Sequence, residues 1–173
     1  MTGVQTCALP ISRVATLRVA LLAAAGVDGE QVREVKEVLC AAGALADVVG
    51  ARIGAVATRD GSPLAVAVSF ETAPSVVFDG VVVADGDEGA LAGDVAALEF
   101  LKLQHRHLKP MLALGCGAAV LQAAGIPVAL PDGQPDPGVI VAGGGDVEAA
   151  LASFHAALAQ HRIYARETDP PRV

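Results

Sequence analysis

Lys109-Pro110-Met111-Leu112-Ala113-Leu114-Gly115-Cys116-Gly117-Ala118-Ala119-Val120-Leu121 is the stretch whose reading decides the fold. Met111 to Leu114 is a short apolar run with the length of a buried strand. It ends in Gly115-Cys116-Gly117 and passes at once into an alanine-rich segment that reads as helix, closed by Gly125. Strand, sharp turn, helix is the geometry of a nucleophile elbow. Small residues on either side let the backbone turn tightly, and the helix N-terminus aims its N–H groups at whatever sits on the turn. A cysteine there meets the positive end of the helix dipole, which favours thiolate. Cys116 is therefore the first candidate nucleophile.

Working outward, the chain alternates strands and helices. Leu17 to Ala24 reads as a buried strand, Gly26-Val27-Asp28-Gly29 as its turn, and Glu30 to Ala42 as a helix with Val32, Val35 and Leu39 at spacings of three and four. A second strand is expected at Asp47–Ile53, and a small hairpin around Arg59-Asp60-Gly61-Ser62-Pro63. Ser75 to Ala84 holds the next core strand, centred on Val81-Val82-Val83, followed by the acidic loop Asp85-Gly86-Asp87-Glu88-Gly89. One long helix should follow, with Leu91, Val95, Leu98 and Leu101 buried, ending near Leu108 before Pro110. Beyond the elbow, the expected elements are a brief strand at Ile126–Leu130, a loop at Pro131–Pro137 and a last strand at Val139–Ala142. Gly143-Gly144-Gly145 then leads to Asp146 as N-cap of a helix bearing Val147, Leu151, Phe154 and Leu158 and running to about Tyr164. The tail, Thr168 to Val173, should fray. Strands alternating with helices across short loops imply a parallel sheet with right-handed crossovers. The expected fold is a three-layer α/β/α, flavodoxin-like arrangement with a mainly parallel sheet.

The 173 residues suit one domain with a full core, built mostly from Ala and Val with no Trp and one Tyr. A net charge of −7 argues against a nucleic-acid or anionic-membrane surface. No apolar stretch is long enough to span a bilayer. Cys7, Cys40 and Cys116 do not make a disulfide framework, so a reducing, cytoplasmic location is expected. Met1 to Ser12 lacks the basic and apolar regions of a signal peptide. Val4 to Ile11, V-Q-T-C-A-L-P-I, is the residue-for-residue translation of a common sequencing-library adapter, GTTCAGACGTGTGCTCTTCCGATC. Residues 1–12 are accordingly read as an artefact, Cys7 carries no functional weight, and the natural chain is expected to continue upstream of Arg13.

The segments LLAAAGVDGEQV, FDGVVVADGDEG, HLKPMLALGCGAAVLQAAGI and GVIVAGG, in that order, resemble the PfpI-like branch of the class I glutamine amidotransferase superfamily. Within it the likeness is to the C-terminal domain of large-subunit haem catalases. There the first strand is followed by a GVDG-type turn, a segment like SVLFDAV precedes the third core strand, and the chain ends in a motif like AQHRHWARE. Ala159-Gln160-His161-Arg162-Ile163-Tyr164-Ala165-Arg166-Glu167 is similar to that closing motif. The resemblance covers residues 13–167, with 168–173 as a tail. It implies a non-catalytic accessory domain whose partner is a haem domain absent from this sequence, within a homotetramer. Haem b would sit in that other domain and dismutate hydrogen peroxide. Tyr164, in the closing motif, is not expected to be the haem ligand, and no cofactor or metal is expected in this chain.

The resemblance also sets a pattern for the elbow. Active PfpI-like enzymes read K-P-V-x-A-I-C-H-G-P, with the nucleophile at the sixth residue after the lysine. Counted from Lys109, that residue is Gly115, and Cys116 stands where the active enzymes carry histidine. Cys116 would then sit one residue into the turn as a small residue in a tight place. An acidic residue after the first strand holds the cysteine in active members, and Asp28 occupies about that place; as a turn residue beside Gly29 it needs no chemistry. Where those enzymes have a glycine-rich oxyanion loop, this chain places Asp85, Asp87 and Glu88, whose charge would oppose an oxyanion. Those three carboxylates also form a possible cation loop, though such a loop is ordinarily just solvated. His105 and His107, two apart, and His155 and His161, six apart on the last helix, do not converge on a metal. Gly143–Gly145 resembles a phosphate-cradling turn without the flanking residues of a P-loop. Two other functions stay open: a stand-alone cysteine hydrolase, glyoxalase-type enzyme or thiol redox sensor using Cys116, and a nucleotide-binding flavodoxin-like module.

Overall fold

The computed structural model describes residues 14–143 and 146–167, the side chain of Glu88 excepted. The elements are β1 (Arg18–Leu22), α1 (Gly29–Ala41), β2 (Leu45–Gly50), β3 (Gly54–Ala57), β4 (Pro63–Val66), β5 (Val68–Ser69), β6 (Gly80–Val83), α2 (Glu88–Ala92), α3 (Val95–Arg106), β7 (Met111–Leu114), α4 (Gly117–Ala123), β8 (Val139–Ala142) and α5 (Val147–Leu158). One sheet runs β5-β2-β1-β6-β7-β8, and every pair in it is parallel. β3 and β4 form a separate antiparallel hairpin, as the turn at Arg59–Pro63 predicts.

Because the sheet is covered on both faces, its central strands are apolar throughout rather than alternating. β6 and β7 are buried at every position. On one face, Val19, Leu21, Val82, Leu112 and Leu114 pack beneath α1 (Val32, Val35, Leu39) and α5 (Leu151, Phe154, Leu158). On the other, Ala20, Leu22, Val81, Val83, Met111 and Ala113 pack beneath α2, α3 and α4 (Leu91, Phe100, Leu101, Val120, Leu121). Each large side chain so buried contributes about 1.5–3 kcal/mol before entropy is counted. The arrangement is the expected three-layer, flavodoxin-like α/β/α fold. Among the described residues no helix is long and apolar enough to cross a membrane.

Several expected elements differ. Within Ser75–Ala84 the core strand is Gly80–Val83, containing Val81-Val82-Val83 as expected, and Ser75–Val77 ahead of it is a 3-10 turn following Pro74. The Lys109 ammonium reaches across and donates to the carbonyls of Ser75 (3.3 Å), Val76 (3.0 Å) and Phe78, diverting acceptors that a strand ladder would use. The single long helix is two. α2 stops at Gly93, and Asp94 restarts the chain as N-cap, its carboxylate accepting from the N–H groups of Ala96 (2.8 Å) and Ala97 (3.3 Å). The restart changes the helical phase. Val95 stands 80% exposed, and Ala97, Phe100, Leu101 and Gln104 form the buried face. The second strand lies at Leu45–Gly50 rather than Asp47–Ile53. Ile126–Leu130 is not a strand: it makes one antiparallel bridge, Ala129 with Pro135. α5 ends at Leu158, so His161 lies beyond it in a reversal with φ +62°, and Tyr164–Arg166 is a 3-10 turn. The expectations on Cys7, Gly144, Gly145 and the tail from Thr168 lie outside the described residues.

Candidate functional site

β7 delivers the chain to the elbow and α4 carries it away. Gly115 has φ +52°, the left-handed conformation that glycine adopts without penalty. A Cβ built there would fall on the Asp85 carboxyl group and lie 2.8 Å from Asp85 Cβ. The direction in which a nucleophile at residue 115 would project is therefore filled by Asp85. Gly117 lets α4 close on β6: a Cβ there would lie 2.8 Å from the Val83 carbonyl oxygen. Cys116 is the N-cap of α4, with helical dihedrals and a side chain that makes no capping bond. Its Sγ instead meets Gly86, 3.2 Å from both the N–H and the carbonyl oxygen.

Asp85 is the centre of this cluster. Its Oδ1 accepts the Cys116 N–H at 2.9 Å and its Oδ2 accepts from Arg59 Nη2 at 3.0 Å. The Cys116 N–H bond, joined by Arg59, holds the carboxyl below its ordinary range against the effect of burial. Arg59 in turn is held above its usual value, first by its hydrogen bond to Asp85. The Asp85 backbone is fixed as firmly: its N–H donates to Gln31 Oε1 (2.8 Å) and its carbonyl accepts from the Asp28 N–H (2.8 Å).

Asp28 joins the cluster from the N-terminus of α1. Its carboxylate caps that helix, accepting from the Gln31 N–H at 3.0 Å, and lies 3.8 Å from Arg59. To the turn role expected from sequence the structure adds the helix cap and the charge of Arg59. Asp87 is the N-cap of α2, accepting from the Gly89 N–H at 2.9 Å. The acidic loop therefore spends Asp85 and Asp87 on different tasks, and neither is simply solvated. Beside Cys116 the open space is about 10 Å³, lined by Ala24, Val27, Gly86, Leu91 and Val120 among others. That is room for about one water molecule.

The histidines do not come together. His105 is partly buried on α3, His107 is exposed at its end, His155 lies on α5 and His161 beyond it. No group of three His, Cys, Asp or Glu side chains with metal-binding geometry occurs among the described residues. Cys40 is exposed on α1, and Tyr164 is 66% exposed. The residues the sequence reading missed are Arg59 and Gln31, which come from the hairpin turn and from α1. No local pattern marks them, because they reach Asp85 across 26 and 54 positions of sequence.

A family profile for the C-terminal domain found in long catalases matches residues 15–168. Among curated proteins, the chain is 36% identical over 165 residues to a catalase HPII of Mycobacterium avium, covering 90% of this chain and 23% of that protein. It is 32% identical over 163 residues to a catalase HPII of Pseudomonas putida, with 90% and 20% covered. It is 30% identical over 152 residues to a catalase HPII of Pseudomonas aeruginosa, with 87% and 20% covered. The chain thus spans about a fifth of the length of these relatives. With its parallel sheet, its elbow and this match along nearly its whole length, the chain belongs to the family of C-terminal domains of long catalases.

Proposed function

We propose that this chain is a non-catalytic accessory domain of a cytoplasmic long catalase, packed in a homotetramer against a haem domain that performs the peroxide dismutation. The observation that carries this reading is the Asp85 carboxylate standing where a nucleophile at Gly115 would project. An acyl-transfer site needs a side chain at that point, hydrogen-bond donors left open for an oxyanion, and room for a substrate. Here position 115 has no side chain, the Cys116 N–H is bound to an anion of the protein itself, and the space lined by Cys116 is about 10 Å³, whereas the hollow of about 320 Å³ at Asp28, Glu30, Arg59 and Asp60 is not lined by Cys116.

Tyr164 does not form a haem site among the described residues. Tyr164 is exposed on a closing turn, and none of the described cavities is lined by it. In this reading the haem and its chemistry belong to the other domain, and residues 13–167 supply packing. Met1–Ser12 is on the same reading adapter-derived, which resequencing the source DNA through the codons for Ser12 and Arg13 tests. Titrating haem into the purified chain should give no Soret shift and no peroxide turnover. A Soret band accompanied by turnover would overturn the proposal.

A further inference from the structure

We propose that residues 161–167 form a strap across the N-terminal ends of β7 and β8 that opens when His105 takes up a proton. The strap leaves α5 through His161, whose φ of +62° is a left-handed conformation that strains a non-glycine residue. It is fastened at two points. The Ile163 N–H donates to the Leu108 carbonyl at 2.8 Å, and the Ile163 side chain is buried. Arg166 donates from Nε to Asp136 Oδ2 at 2.5 Å, from Nη2 to Asp136 Oδ1 at 3.2 Å and from Nη1 to the Lys109 carbonyl at 2.8 Å. The Arg166 and Asp136 side chains are 4% and 1% exposed, and Asp136 also accepts the Gly138 N–H at 2.8 Å. Gly138 has no room for a side chain, since a Cβ there would lie 2.7 Å from Arg166 Nη2 and 3.0 Å from Ile163 Cδ1.

His105 lies one turn before the strap's anchor points at Leu108 and Lys109, and its Nε2 is buried with no hydrogen-bond partner. As a neutral ring it leaves one nitrogen unsatisfied and no charge buried. As a cation it would bury an unpaired N–H and a charge, which costs far more. The charges that act on it are Arg166 of the strap, which repels, and Asp136 ahead of β8, which attracts but is already bonded by Arg166 and Gly138. Lys109 turns its amine to the carbonyls of Ser75–Phe78, with Arg162 and Asp79 as its own charged neighbours. On α3 itself Lys102 and Arg106 are exposed cations, and α4 and β6 carry no charge. Burial first, and Arg166 second, therefore hold the ring below its ordinary value while the strap is closed. Opening the strap moves the Arg166 charge away from the ring. The open state then binds the proton more tightly, so falling pH below about 6.5 shifts the balance towards it, up to tenfold per unit of difference between the two states.

Hydrogen exchange of the Ile163, Arg166 and Glu167 amides, corrected for intrinsic rates, tests this at about pH 7.5 and about pH 5.5. Protection of all three should fall by about threefold or more at the lower pH, while Leu112 and Val82 in the sheet keep theirs. His105→Gln should remove the pH response. Arg166→Leu should leave the strap open at both values and return the His105 ring titration, read by NMR, to about 6.5. Equal protection at both values in the unaltered chain, or a pH response that survives in His105→Gln, overturns the proposal. If His105→Gln does not fold, the ring titration of the unaltered chain decides: a value at or above about 6.5 with the strap closed sinks it.

Discussion

A single carboxylate decides what the elbow is. Asp85 is bonded through both oxygens and both backbone groups, and Gly115 is shaped to receive it. Two separate constraints bear on residue 115, a left-handed backbone and a filled side-chain direction, and substitutions can separate them. Gly115→Ala should cost about 2 kcal/mol or more, the sum of the φ penalty and displacement of Asp85. In an Asp85→Gly background the same change should cost only the φ penalty, about 1 kcal/mol. Urea unfolding of the two single variants and the double variant gives the coupling. Equal costs in both backgrounds would mean that Asp85 does not occupy the side-chain direction of residue 115.

At the scale of the element, helix phase is legible where one helix runs unbroken and is lost where a cap divides the run. α1 follows its pattern closely, since Asp28 caps it and Val32, Val35 and Leu39 are buried as the spacing predicts. The stretch from Leu91 to Leu108 does not, because Gly93-Asp94 splits it and Asp94 captures the first N–H groups of a new helix. The helix begun at Asp94 sets its own buried face, Ala97, Phe100, Leu101 and Gln104, and Val95 in its first turn lies outside it. Asp94→Ala should destabilise the domain by about 1 kcal/mol through the lost cap. Val95→Glu should change stability by no more than about 0.5 kcal/mol, whereas Leu101→Ala should cost about 2–5 kcal/mol. Thermal or urea unfolding of the three variants distinguishes the two-helix arrangement from one continuous helix. A large loss in Val95→Glu is the outcome that the continuous helix requires.

At the scale of the whole molecule, long-range polar ties at the N-terminal ends of the strands join segments distant in sequence. Lys109, 1% exposed, bonds the turn at Ser75–Phe78, and desolvation pushes its pKa down to about 8. The folded state thus binds the proton less tightly than the unfolded chain, whose lysine titrates near 10.5. Stability should rise with pH between about 8 and about 10.5, by at most about 3 kcal/mol. In Lys109→Met that rise should vanish, which urea unfolding at the two ends of the window measures. The sequence by itself determined the parallel α/β/α architecture, the position of the elbow and the family, because these rest on local periodicity, turn residues and ordered motifs. It also placed Cys116 and Asp28 near the ends of the right strands. Only the tertiary structure decided that Asp85 fills the elbow, that Arg59 and Gln31 hold it there, that Lys109 is buried, and that the closing motif is a strap locked by Arg166 and Asp136. Each of these is a contact between residues far apart in the chain, and their geometry exists only once the sheet has brought the loops together.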